Sequence, residues 1–292
     1  MKRRDFVQQS TLSGTLVLMN PSLILKKKTK HIGVQLWSVR DAADQDPKGT
    51  LQQLARMGYK EVEGYKYENQ KFYSYTPVEF AKLLKAVDLK MTGAHTGISL
   101  HHWDASSRTL NDLAKKTIDD HATIGVKQLI CPYIDEQWRT PENFKQLCEV
   151  FNHVGEACKK SGIQFGYHNH DFEFKKSGGT TFMDLLMEQT DPGLVIWEMD
   201  LYWVKYANED PIEWIRRYGK RIQAFHVKDI ADSPKRESIE VGEGTIDFEQ
   251  LFKLPEASDV IYYIVELEDY RTTSLEGVEV SLRNLKSILA KV

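Results

Sequence analysis

Residues 140–170, TPENFKQLCEVFNHVGEACKKSGIQFGYHNH, decide the architecture because they hold one complete helix-to-strand unit with readable ends. Thr140 is a good N-cap, and Pro141 suits the first helical position, where its missing N–H has no intrahelical partner to lose. Apolar residues then recur at helical spacing until Lys159-Lys160-Ser161, and Gly162 suits the turn that ends the helix. The run from Ile163 to His170 follows as a strand, with Gly166-Tyr167-His168-Asn169-His170-Asp171 at its end.

Working outward, the same unit recurs along the chain. Strands are expected at 31–37, 61–65, 90–95, 128–132, 163–170, 194–200, 222–228 and 261–268, separated by helical patterns. Thr76-Pro77-Val78-Glu79 and Asp210-Pro211-Ile212-Glu213 repeat the capping device, and Gly58 ends another helix. Eight strand–helix repeats without a Pro/Gly/Ser linker argue for an α/β fold, a single-domain closed (β/α)₈ barrel over 31–292, rather than an open doubly wound sheet.

Composition is compatible with one large globular domain. The chain has 292 residues, 41% hydrophobic and 28% charged, with 39 Lys+Arg against 42 Asp+Glu, so a net charge of −3. That balance offers no field to gather phosphate backbones or anionic membrane, and no nucleic-acid partner or stable membrane insertion is expected. The three cysteines lack metal-ligand spacing. Cys148 and Cys158 lie on one expected helix about 15 Å apart, too far for a disulfide.

Residues 1–30 read separately. Lys2-Arg3-Arg4-Asp5-Phe6-Val7 followed by the weakly apolar Leu12 to Met19 stretch matches a twin-arginine export signal, which carries folded proteins to the periplasm. A cytoplasmic protein with a basic tail is the alternative.

Parity along the strands sorts the side chains. Residues two apart share a face, and one face of a barrel strand points inward. One set holds Gln35, Glu63, His95, His168 with His170, Glu198 with Asp200, His226 with Lys228, and Glu266 with Glu268. The opposite set is apolar: Val34, Val62, Tyr167, Trp197, Met199, Phe225, Val227, Val265 and Leu267. Ionisable groups converging at the C-terminal strand ends is the arrangement of a barrel active site, and so many buried charges call for a cation. His168, Asp200, His226 and Glu266 offer two imidazoles and two carboxylates from four strands. Parity alone does not separate His168 from His170, or Asp200 from Glu198, as ligands.

Six segments carry a family resemblance: Gln35-Leu36-Trp37-Ser38, Gly58-Tyr59-Lys60-Glu61-Val62-Glu63, Trp197-Glu198-Met199-Asp200, Phe225-His226-Val227-Lys228-Asp229, Gly242-Glu243-Gly244-Thr245-Ile246-Asp247-Phe248 and Ile264-Val265-Glu266-Leu267-Glu268. Together they resemble the xylose isomerase-like TIM barrels, usually labelled sugar phosphate isomerase/epimerase and including inosose dehydratases and lyases of 3-keto-glycosides. The resemblance implies one divalent cation, Mn²⁺ first with Mg²⁺, Co²⁺, Zn²⁺ or Fe²⁺ as alternatives, on ligands from strands five to eight. Carried over by position, these are His168, Asp200, His226 and Glu266. His168 stands where sugar epimerases have a glutamate, which removes one of the two carboxylates that exchange protons on opposite substrate faces.

The resemblance therefore implies an isomerase, epimerase or lyase of carbohydrate metabolism that abstracts a proton beside a carbonyl. His168, His170 and Glu266 are the available bases, and Lys228 is a candidate proton donor. Gln35, Trp37, Glu63, His95, Trp203 and Glu268 are expected to contact a carbohydrate substrate, and Trp103 and Tyr133 to extend the aromatic wall. The Gly242-Glu243-Gly244 segment is expected to be a turn, not a phosphate cradle, and an unphosphorylated keto-sugar or oxidised glycoside fits an exported enzyme better. Two rivals remain: a non-catalytic carbohydrate-binding barrel, and a type-four apurinic endonuclease-like metallohydrolase. Homo-oligomerisation is left open.

Overall fold

The computed structural model describes residues 29–176 and 179–292. The expected export signal therefore lies, over residues 1–28, outside the described residues.

Eight parallel strands close into a barrel in sequence order. They are β1 (His31–Gln35), β2 (Glu61–Gly64), β3 (Lys90–His95), β4 (Gln128–Cys131), β5 (Gln164–His168), β6 (Val195–Asp200), β7 (Ile222–Val227) and β8 (Tyr262–Val265). Each lies inside the expected span. The differences fall mostly at the C-terminal ends, where the chain leaves the ladder early. Trp37, His170, Lys228, Glu266 and Glu268 therefore stand on the segments just past their strands, at the mouth of the barrel.

The outer layer comprises α1 (Pro47–Met57), α2 (Pro77–Ala86), α3 (Asp112–Ile124), α4 (Pro141–Lys160), α5 (Phe182–Gln189), α6 (Pro211–Tyr218), α7 (Phe248–Phe252) and α8 (Ser274–Leu289). Their starts follow the sequence chemistry. Thr76 and Glu79 form a capping box, Thr140 accepts from the N–H of Asn143, and Asp210 accepts from that of Ile212. Gly58 closes α1 at φ 103°, where a side chain would be strained. On α4, Phe144, Leu147, Cys148, Phe151, Val154 and Cys158 form one buried stripe.

The parity assignment holds. Val34, Val62, Phe165, Tyr167, Trp197, Met199, Phe225, Val227, Tyr263 and Val265 are buried between sheet and helices. Inward-facing Ile130, Ile196 and Ile264 fill the barrel below its ionisable groups. Gly166 makes that layer fit, because a Cβ there would lie 2.7 Å from side-chain carbons of both Ile130 and Ile196. All three cysteines are free, as their spacing implied, and all are buried. Among the described residues, no helix is long and apolar enough to cross a membrane.

Candidate active site

Four buried side chains meet at the C-terminal ends of the last four strands. His168 and Asp200 end β5 and β6, His226 sits one residue from the end of β7, and Glu266 follows β8. Their ligating atoms all lie within 4.8 Å of one another. His168 Nε2 is 3.4 Å from Asp200 Oδ2, which is 4.0 Å from His226 Nδ1, and that nitrogen is 3.1 Å from Glu266 Oε2. Ligands about 2.1 Å from a tetrahedral cation stand roughly 3.4 Å apart, so this spacing suits one. Both nitrogens of His168 and Oδ2 of Asp200 are buried without a hydrogen-bond partner. Orphaned polar atoms of this kind are costly, and a shared cation satisfies Asp200 Oδ2 and one of the two His168 nitrogens.

The backbone aims these groups. Asp200 caps the helical turn after β6 by accepting from the Trp203 N–H at 2.9 Å through Oδ1, which leaves Oδ2 facing the other three residues. Asn169, wholly buried, accepts from Trp197 Nε1 at 2.8 Å and from the Asp200 N–H at 3.0 Å, so it ties the end of β5 to β6. Nothing in strand parity pointed to Asn169, since its side chain faces away from the barrel interior.

Charge state follows from burial and neighbours. Burial pushes His168 well below the ordinary histidine range, and the adjacent His226 and His95 push the same way, so it is neutral, as a ligand must be. Burial raises Asp200 to about 7. For Glu266 burial acts upward, but Lys228 and His226 outweigh it and hold the carboxyl well below its usual range. His226 is driven well upward because Glu198, Glu266 and Glu63 overcome its burial.

A second group lies beneath the first and shares His226. His95 Nε2 is 2.9 Å from Glu63 Oε1 and 2.8 Å from Glu198 Oε2, while His226 Nε2 is 3.1 Å from Glu63 Oε2 and 3.2 Å from Glu198 Oε2. Glu63 is 0% exposed and His95 8%. Both residues, expected to contact substrate, thus lie in a packed layer and touch His226. Glu63 pairs with Gln35 and Gly93 at a register shift in β2, and Glu198 stands two residues before Asp200 on β6.

Lys228 is fully buried with its ammonium 3.5 Å from Glu266 and 4.0 Å from Asp200, in contact with Glu268, and 4.7–4.8 Å from the ring centroids of Trp203 and Tyr202. Burial opposes its charge, but Glu266, Asp200 and Glu268 raise its pKa, so it remains an ammonium. Glu268 pairs with this lysine, and Arg271 pairs with Glu240 and Glu243. Asp229, the other conceivable partner of Lys228, accepts instead from the N–H groups of Ile230, Gly242, Gly244 and Ile246 at 2.9–3.1 Å. That carboxylate occupies the ring of amides that a phosphate would need, so the Gly242-Glu243-Gly244 segment is a turn.

His170 stands just outside the quartet, its ring centroid 5.0 Å from that of His168, 5.1 Å from Trp203 and 5.4 Å from Tyr133. Its Nδ1 has no partner, and burial lowers its pKa well below the usual range. Trp37 and Tyr133 are 41% and 46% exposed, each with an arginine, Arg40 or Arg139, 4.7 Å from its ring centroid. Arg40 also donates to the Glu268 carbonyl, which ties Trp37 to the same mouth. Gln35 is buried and accepts from the Trp37 N–H at 3.1 Å. Trp103 departs from the aromatic wall and stacks on His153 of α4.

Glu173 is a second residue that strand patterns did not reveal. It is fully buried, accepts from the Tyr167 hydroxyl at 2.7 Å and from the His170 N–H at 2.8 Å, and so anchors the segment carrying His170. Burial raises its pKa to about 8. The folded protein thus keeps this proton up to about pH 8, whereas the unfolded chain releases it above about 4.3, so this group lowers stability as pH climbs between those values. Glu173→Gln keeps an oxygen to accept from the His170 N–H, with its NH₂ in place of the protonated oxygen toward Tyr167, and is expected to melt like the parent near pH 4 and at a higher temperature at pH 9. An equal difference at both values would count against the protonated carboxyl.

Residues 51–288 match the family described as xylose isomerase-like TIM barrel. An inosose dehydratase from Clostridium perfringens is 30% identical over 159 residues, 48% of this chain and 53% of the relative. The chain thus spans about half the length of that curated relative. A sugar phosphate isomerase/epimerase structure from Parabacteroides distasonis is 30% identical, with a TM-score of 0.76 over 91% of this chain and 96% of the other. The homologues are enzymes of these two kinds. A crystal structure of the IOLI protein with a binding zinc atom shares the fold at 14% identity and a TM-score of 0.69, over 89% of this chain and 98% of the other.

Proposed function

The chain belongs to the xylose isomerase-like TIM-barrel family, and on that premise we propose that it is a divalent-metal-dependent isomerase/epimerase or lyase that abstracts a proton beside the carbonyl of a keto-sugar or oxidised glycoside. The observation that carries this reading is the buried quartet of His168, Asp200, His226 and Glu266, in which both His168 nitrogens and Asp200 Oδ2 have no hydrogen-bond partner. With His168 neutral and His226 giving up the proton that its carboxylate neighbours favour, two imidazoles and two carboxylates would carry a charge of −2, which a dication neutralises. Mn²⁺ is our first choice, and Zn²⁺ suits the same donors. When bound, the cation supplies Lewis-acid stabilisation of negative charge developing on a substrate carbonyl oxygen.

The chain's own groups then divide the proton traffic. His170, neutral and outside the quartet, accepts the proton from the carbon next to the carbonyl, and the released electron pair forms a carbon–carbon double bond. The β-substituent leaves with its bonding pair, and Lys228 supplies the proton to the departing oxygen. In an isomerase the same ammonium serves reprotonation. Trp37, Tyr133 and Trp203 offer aromatic faces to a sugar ring. A site with one carboxylate fewer than a two-glutamate epimerase favours elimination over two-base stereoinversion, and the dehydratase among the relatives agrees with that preference.

The direct test is elemental analysis of the purified protein beside a screen of keto-sugars and 3-keto-glycosides, read by enone absorbance and solvent proton exchange. Metal together with enone formation supports the proposal; a metal-free protein that only binds sugars supports a binding barrel instead. We further propose that Arg3 and Arg4 direct export of the folded enzyme. Changing both to Lys is expected to leave the protein in the cytoplasmic fraction. Identical fractionation of parent and variant would remove the export proposal.

A further inference from the structure

The histidine shared by the two buried groups is held very differently from its neighbour. His226 presents Nδ1 toward Glu266 and Asp200, whereas Nε2 lies 3.1 Å from Glu63 Oε2 and 3.2 Å from Glu198 Oε2. These carboxylates come from β2 and β6, on opposite sides of the barrel. His95 bridges them from the far side at 2.8–2.9 Å, and its ring stacks on that of His226 with centroids 5.2 Å apart and planes 11° from parallel. His168, by contrast, has no hydrogen bond on either nitrogen.

Distances separate the lower group from a second cation site. Each of its histidines is hydrogen-bonded to one carboxylate, His95 Nε2 to Glu198 at 2.8 Å and His226 Nε2 to Glu63 at 3.1 Å, and the crossed contacts of 2.9 Å to Glu63 Oε1 and 3.2 Å to Glu198 Oε2 are likewise shorter than the roughly 3.4 Å between ligands of a tetrahedral cation. Both groups keep their donor atoms within 4.8 Å of one another, and the upper one has a contact of the same kind, His226 to Glu266 at 3.1 Å, but it alone adds the 3.4 and 4.0 Å separations around Asp200 Oδ2.

We infer that Glu63 and Glu198, bridged by His95, are positioning residues that fix the His226 ring with its proton on Nε2 and its Nδ1 lone pair aimed at the upper quartet; the inference rests on the metal reading above. A histidine ligand needs an acceptor for its second nitrogen to set tautomer and ring rotation, and loss of such an acceptor weakens metal binding roughly 10–100-fold. Two carboxylates from different strands block rotation in both directions, which one acceptor does not.

The experiment is calorimetric titration of the metal-free protein with Zn²⁺ for the parent, Glu63→Gln and Glu198→Gln, beside ¹⁵N spectra of histidine-labelled, zinc-loaded parent protein. The parent is expected to bind one Zn²⁺ per chain with His226 protonated on Nε2, and each variant to bind one Zn²⁺ about 10–100-fold more weakly. Should one variant fail to fold, the other and the parent spectrum carry the test. Affinities within twofold of the parent, or a zinc-loaded His226 protonated on Nδ1, overturn the inference while leaving the metal reading standing. Two Zn²⁺ per chain, one of them lost in both variants, also overturn it, because the lower group would then be a ligand set. A parent that binds no Zn²⁺ overturns both readings.

Discussion

Asp200→Ala and Glu266→Ala are each expected to abolish bound metal and turnover together while the barrel remains folded. Each removes an anionic donor from a site whose other members, His168 and His226, are buried at 2% and 0% exposure and have no solvent to replace it. The loss should exceed the roughly 10–100-fold that removal of an outer partner produces. Asp200 also caps the turn at Trp203, so Asp200→Ala loses a helix cap worth about 1 kcal/mol as well. Asp200→Asn preserves the cap and isolates the donor effect. Metal content, circular dichroism and turnover measured on the same preparations check the prediction. A folded variant that turns over substrate without metal contradicts it.

His168 carries the second large effect. His168→Ala removes a neutral donor in the quartet and is expected to lower turnover by at least 10²–10⁴-fold, the range of a general acid or base contribution, and further if metal is lost too. His168→Glu is the more telling change, because it restores the carboxylate that the resemblance associates with epimerases. It should retain metal and shift product from elimination toward epimerisation. Reactions in deuterated water, with label followed at the carbon beside the carbonyl, distinguish one-base from two-base exchange. Efficient epimerisation of a free ketose by the unmodified protein, with no elimination from any keto-sugar, would contradict the reading of His168.

Much of this arrangement was legible before any coordinates, and the reason is periodicity. A strand alternates faces with a period of two, so Glu198 with Asp200 and His226 with Lys228 had to share a side, and eight repeats made that side the inside of a barrel. Parity does not report depth. Glu63 and His95 carry the inward face, and strand stagger, including the register shift in β2, is what sets them against Glu198 and His226. Parity is also silent about residues past the strand ends. His168 and His170 were equivalent on paper, and the early end of β5 at His168 separates a quartet member from its neighbour.

Pairings between distant loops were the least legible. Lys228 neighbours Asp229 in the chain, yet Asp229 is taken up by four amides and Lys228 pairs with Glu266 and Glu268 instead. Asn169 and Glu173 are buried hydrogen-bonding groups outside the strand pattern. They matter because Asn169 ties Asp200 across 31 residues of chain, whereas Glu173 ties the His170 backbone locally, three residues away.

The most direct test of the account is an anomalous difference map from crystals of the full chain grown or soaked with Mn²⁺. The account predicts one peak per chain enclosed by His168, Asp200, His226 and Glu266. A map with no peak there, or with its peak among Glu63, His95 and Glu198, contradicts it.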